Sequence, residues 1–354
     1  MAGLCAAVRA RELGLHAVVR EKGDRPGGSM LLSSCVLWRH RAFADFRAEC
    51  PAGDPELQRA VYDDLDEALE WLESLGAPVL EHGTGNPRTV GKRLDPRGLT
   101  DALVRAAGEV RLGAGLSGGE DPLVLATGGF QGSSELVARW IAPAGPLRLR
   151  ANPWSAGDGL RAGLLRGAAL SAGMGEFYGR NMPDADFAER DFVPLAQLYG
   201  RHARVVDERG EEFFPGKVSW SENDLVQATA RRPGARAWYL LDEEALERPV
   251  RDGTVRELAE AAPTRTDPAD LPFPAPPGTV VAVRVSPAIT HTIGGLRVDS
   301  RARVLRLDGT PVPGLYAAGA DAGGVATGGY ASGLAAALVL GRRAAESAAG
   351  AGAP

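Results

Sequence analysis

A glycine and an acid, separated by one helix and one strand, open the chain. Gly3 begins a segment in which Leu4, Ala7, Val8 and Leu13 recur at helical spacing, and Gly14 ends it. Residues 16–21 (HAVVRE) then read as a short buried strand closing on Glu21. A small residue at a helix start lets backbone N–H groups approach a phosphate. An acid at the end of the next strand, roughly 20 residues on, accepts from a ribose hydroxyl. That is the chemistry of dinucleotide binding. An ordinary surface helix and strand would read the same way, so the decision falls to the motifs that follow.

Glu21-Lys22 is followed by Pro26-Gly27-Gly28-Ser29-Met30, where paired glycines let the backbone pass close to a phosphate or a ring. Later come Ala126-Thr127-Gly128-Gly129-Phe130, Gly157-Asp158-Gly159 and Gly294-Gly295. Last is Gly314-Leu315-Tyr316-Ala317-Ala318-Gly319, with Asp321 and Gly323-Gly324 behind it. Glycine pairs taken singly are usually turns; their order and spacing here carry more.

The stretches EKGDRPGGS, LATGGFQG, ANPWSAGDGLRAG, HTIGGLRVD and VPGLYAAGADAGG together resemble the FAD-binding family of fumarate reductase, the succinate dehydrogenase flavoprotein, 3-ketosteroid dehydrogenases and tricarballylate dehydrogenase. The resemblance covers nearly the whole chain, and NPWSAGDG and GYASGL are most similar to the tricarballylate and ketosteroid branch. It implies an α/β fold: a Rossmann-like FAD-binding domain split in sequence (1–184 and 286–354), with an inserted α+β capping domain at 185–285. The first strand and the first two glycines of the opening motif would precede Met1.

The resemblance also implies contacts. Ala2 and Gly3 would face the pyrophosphate, and Glu21, with Lys22 beside it, the adenosine ribose. Gly28, Ser29, Met30, Ser34 and Cys35 would line the ribityl and flavin side, Cys35 standing where the family usually has glycine. Gly128 and Asp158 would hold the nucleotide end, with Gly319 and Ala320 in the closing motif. His291 would approach the flavin through its backbone. Gly333 to Ala336, Ala335 and Ala336 included, would open a helix toward the pyrimidine ring, where free N–H groups favour an anionic reduced flavin. The segment near Ser33 has no histidine for a covalent link, so non-covalent FAD is expected.

Departures bear on the substrate. The proton-donating arginine of the dicarboxylate reductases matches Asn223, beside Asp224. A substrate-binding arginine matches Tyr330, and a substrate histidine matches Thr290. Fumarate reduction is therefore not expected. Tyr330, between Gly329 and Ala331, could bind a carbonyl or act as acid or base, or simply pack. Tyr199 and Arg201 are further catalytic candidates, and Tyr178 and Arg180 could join them on the cap side; a structural role is the alternative for each. His40, His82 and His202 show no partners in sequence and are expected at the surface.

The expected activity is hydride transfer between a substrate C–C bond, in a small organic acid or cyclic ketone, and flavin N5, with an unknown electron acceptor. A truncated, non-catalytic member of the family is the alternative. The 354 residues suit two domains. A net charge of −5 lacks the basic face that nucleic acid requires. No apolar run approaches the roughly 20 residues of a membrane span, and no metal-ligand spacing exists. Three cysteines without metal or disulfide spacing, and no charged-then-apolar leader, lead to the expectation of reduced thiols in the cytoplasm.

Overall fold

The computed structural model describes residues 1–116 and 122–351. It divides into two compact units, Met1–Trp140 with Ala151–Glu176 and His291–Pro354, and Ile141–Arg150 with Phe177–Thr290.

In the first unit the opening helix Ala2–Glu12 packs along the closing helix Gly333–Ala351. Both are rich in small residues, which allows close approach; a Cβ on Gly341 would fall 2.6 Å from the Ala2 carbonyl oxygen. Strand Val18–Arg20 pairs in parallel with Glu109–Arg111. Strand Leu123–Leu125 pairs in parallel with Pro311–Ala317, which returns antiparallel onto Arg303–Leu305.

Two amphipathic helices, Pro55–Ser74 and Pro96–Ala107, begin where aspartates cap them. Asp54 accepts from the N–H groups of Glu56 and Leu57, and Asp95 from that of Gly98 at 2.6 Å. Each has proline in its first turn, where the missing N–H costs nothing. An antiparallel sheet of Val36–His40, Thr89–Leu94 and Val79–Glu81 packs against the first of them. Trp38 faces Gly91 there, and a Cβ on Gly91 would sit 2.0 Å from the Leu37 carbonyl oxygen.

The second unit is built on Val281–Thr292, a strand of 12 residues whose part up to Thr290 belongs to this unit. Arg265–Thr266 and Ala237–Leu241 flank it antiparallel, and Arg204–Val206 adds beyond the latter. Leu225, Tyr239, Leu241, Val283 and Val285 fill the core on one face. The sequence places this insertion at 185–285, yet Ile141–Arg150 and strand Phe177–Pro183 also belong to it. Arg148–Leu149 pairs in parallel with Ala288–Ile289, and Phe177–Pro183 pairs with the same long strand. Pairing across such sequence distances leaves no local signature.

Candidate functional site

The parallel pair Leu123–Leu125 and Pro311–Ala317 carries two glycine segments out at the same end. Thr127-Gly128-Gly129 follows one strand and Gly319-Ala320-Asp321 the other, joined by the Ala318 N–H to Leu125 carbonyl bond of 3.0 Å. The start of the opening helix meets them. Gly3 would place a Cβ 3.3 Å from that of Ala126, and Gly319 one 3.3 Å from that of Ala2. No side chain caps this helix start.

Asp321 organises these segments. Its carboxylate, 1% exposed, accepts from the Thr127 hydroxyl at 3.0 Å, from the Gly129 N–H at 3.3 Å, and from the Thr127 N–H. The Gly159 N–H donates in turn to the Thr127 hydroxyl oxygen at 3.0 Å. Burial raises the Asp321 carboxyl above its ordinary range, against these bonds, which favour the ion. In sequence Asp321 is only a motif member; its role, and that of Thr127, emerges from strand pairing.

Glu21 follows strand Val18–Arg20, and its Oε1 accepts from the Gly23 N–H at 2.8 Å. The Trp154 ring lies against Gly23, where a Cβ would come within 2.5 Å of it. Lys22 and Asp158 form an ion pair with each other, Nζ to Oδ2 at 2.8 Å. Gly28, Ser29 and Met30 form one 3-10 turn, and the Ser29 hydroxyl oxygen accepts from the Asn152 N–H at 3.1 Å. Met30 is buried and Ser34 exposed. Cys35 takes φ +52, in the left-handed region that favours glycine, with its thiol buried and pushed up to about 12. Burial pushes Cys5 and Cys50 up to about 12 as well, so no thiol is ionised at neutral pH.

At the closing helix, the Ser332 hydroxyl oxygen accepts from the Ala335 N–H at 3.3 Å, and Ala335 and Ala336 are buried. The His291 ring lies against the helix start; a Cβ on Gly333 would fall 3.0 Å from it. His291 keeps some exposed surface, yet dense packing pushes its imidazole down to about 4 by desolvation, leaving it neutral. Tyr330 is partly exposed, with its ring centroid 5.3 Å from that of Trp38.

His40 is not at the surface. It is 2% exposed, stacks on Phe46 at 5.4 Å, and hydrogen-bonds to the Tyr330 backbone. The strand Val36–His40 turns it inward, and sequence offered no sign of that strand. Tyr199 is likewise a correction. It is 0% exposed in the core of the second unit, its hydroxyl donates to Gln197 Oε1 at 2.5 Å, and it offers a substrate no surface. Arg201 is exposed; its Nε–H donates to His202 Nε2 at 3.2 Å, and its backbone N–H reaches the buried Glu222. His202 is partly buried and His82 exposed. Asn223 Oδ1 accepts from the Gly179 N–H at 3.2 Å, Asp224 holds Ser219, and Thr290 Oγ1 accepts from Arg150 at 2.9 Å. The Arg180 guanidinium lies over the Tyr178 ring and donates to the Ser221 carbonyl.

The FAD binding domain family matches residues 1–116 and 118–335. The chain belongs to this family. The probable fumarate reductase Ifc3 of Shewanella frigidimarina (strain NCIMB 400) is 24% identical over 92% of this chain and 68% of its own length. The NADH:fumarate oxidoreductase of Klebsiella pneumoniae (strain 342) is 24% identical over 96% of this chain, which spans 45% of that protein. The solved 3-ketosteroid-delta4-(5alpha)-dehydrogenase from Rhodococcus jostii RHA1 superposes with a TM-score of 0.70 at 21% identity, covering 98% of this chain and 94% of that one. These likenesses agree with the α/β fold read from the sequence.

FAD is the cofactor the family implies, and the residues present fit it. Around Gly129, where a Cβ would lie 2.6 Å from Thr292 Oγ1 and 2.9 Å from Gln131 Oε1, those two buried oxygens have no hydrogen-bond partner. Gly27, Gly28, Gly128 and Gly319 all hold positive φ. Among the described residues no group of side chains could hold a metal, and no helix is long and apolar enough to cross a membrane.

Proposed function

We propose that the chain is an FAD-dependent oxidoreductase acting on a CH–CH bond, with FAD held non-covalently. The flavin, when bound, supplies the hydride-accepting atom. Ala2, Gly3, Glu21, Lys22, Gly28, Ser29, Met30, Ser34, Cys35, Gly128, Asp158, Gly319 and Ala320 would hold it. His291, Ala335 and Ala336 would face its ring end, where the neutral imidazole would add no positive charge. The family match along nearly the whole described chain speaks against a non-catalytic remnant.

One observation carries the substrate reading. Tyr330 stands beside Trp38, with His40 bonded to its backbone and kept neutral by burial. A phenol backed by an aromatic ring binds and protonates a ring carbonyl; it does not neutralise a carboxylate. In the sequence, Asn223 and Thr290 stand where the dicarboxylate reductases of the family carry the proton-donating arginine and the substrate histidine. We therefore favour dehydrogenation of a cyclic ketone, with the Tyr330 hydroxyl donating to the carbonyl oxygen; the flavin, when bound, would take the hydride, and water the proton from the carbon next to the carbonyl. The test is dye-coupled turnover of 3-ketosteroids and simple cyclic enone precursors against succinate and other small organic acids. Turnover of ring ketones, lowered in Tyr330→Phe with flavin still bound, is expected; turnover of dicarboxylates alone would overturn the substrate reading.

A further inference from the structure

We propose that Asp321 is a positioning residue for the cofactor, its buried carboxylate filling the nest of backbone N–H groups at Thr127–Gly129 and so fixing the glycine loops in the geometry that receives FAD. Successive N–H groups in a glycine turn form a concavity that takes an anion. At Gly128 and Gly129, φ is +90 and +86, and the anion present is internal. The N–H of Thr127 and that of Gly129 both point to the Asp321 carboxylate, and the Gly128 N–H also donates to it. This turn therefore shapes the site rather than grasping a phosphate.

The same residue reaches two more loops. Thr127 Oγ1 donates to Asp321 and accepts from the Gly159 N–H. A Cβ on Gly159 would collide with Asp321 Oδ2 at 2.8 Å and with Thr127 Oγ1 at 2.8 Å. The backbone carbonyl of Asp321 accepts from the Leu296 N–H at 2.8 Å, and a Cβ on Gly295 would come within 2.6 Å of that oxygen. One residue thus ties together LATGG, SAGDG and IGG, three of the glycine motifs that carry the resemblance.

The inference rests on the FAD reading, and its test separates the two. FAD is titrated into flavin-free wild type, Asp321→Asn and Thr127→Val, following flavin fluorescence, with the melting temperature of each flavin-free protein measured alongside. Asparagine turns an NH2 group toward N–H donors, so Asp321→Asn is expected to weaken FAD binding more than tenfold. Thr127→Val keeps the shape but loses both the hydroxyl bond to Asp321 and the link to Gly159, and about tenfold weakening is expected with the fold retained. If Asp321→Asn does not fold, Thr127→Val decides. Wild-type affinity in the folded variants, with only the melting temperature lowered, would make Asp321 structural and overturn the inference. Failure of the wild type to bind FAD would overturn the FAD reading itself.

Discussion

His291 gives the most quantitative expectation. Its imidazole is pushed down to about 4 by desolvation, and the adjacent start of the closing helix adds partial positive charge against protonation. An unfolded histidine binds its proton near pH 6.5. Between those values the unfolded chain carries one more proton than the folded one, so stability rises with pH across that window. The contribution is complete above about pH 6.5, falls as the pH drops toward 4, and is flat below. At about 1.4 kcal/mol per pH unit, wild type loses roughly 2 kcal/mol from this group by pH 5 and roughly 3 kcal/mol by pH 4. Other groups titrate too, so the measurement is a difference. Urea unfolding of wild type and His291→Gln, both flavin-free, is followed by tryptophan fluorescence from pH 4 to 8. The wild-type curve should fall below the variant's by roughly 3 kcal/mol more at pH 4 than at pH 7. Parallel curves across the range would refute the reasoning.

Three further outcomes are expected. The buried thiols of Cys5, Cys35 and Cys50, each pushed up to about 12, should resist a disulfide-exchange reagent at pH 7 and react only on unfolding; rapid labelling of the native protein counts against their burial. Gly91→Ala, which drives a Cβ to 2.0 Å from the Leu37 carbonyl, should destabilise by about 2 kcal/mol or more in urea unfolding, and an unchanged midpoint would remove the packing argument for the sheet that carries Trp38. Tyr330→Phe should lower kcat on a ring ketone by roughly a hundredfold while leaving the FAD dissociation constant unchanged; equal kcat leaves Tyr330 a packing residue.

The helices were legible where chemistry marks their ends. Asp95 with Pro96 marks one start, the apolar stripe of Leu57, Val61, Leu65, Leu69 and Leu72 marks a second helix, and the structure starts both at prolines. Leu123–Leu125 is legible as the start of an apolar run that stops at Gly128-Gly129. The sheet of Val36–His40, Thr89–Leu94 and Val79–Glu81 was not, because its short strands alternate weakly and pair with distant partners. That gap displaced His40 to the surface in the sequence reading. Tyr199 misled for a related reason: a tyrosine beside an arginine looks functional, and only the packing of Tyr239 against it, ring centroids 5.5 Å apart, shows a core position. The glycine motifs could be ordered along the chain, but the anion that joins them, Asp321, depends on which strands are neighbours.

The most direct test of the central claim is the visible spectrum of the purified protein after incubation with excess FAD and gel filtration. The account predicts a yellow protein with the two visible bands of oxidised flavin, near one FAD per chain, and flavin that passes wholly into the supernatant on acid precipitation. A colourless protein would contradict the claim that this chain is a flavoenzyme, and flavin remaining in the acid pellet would contradict its non-covalent attachment.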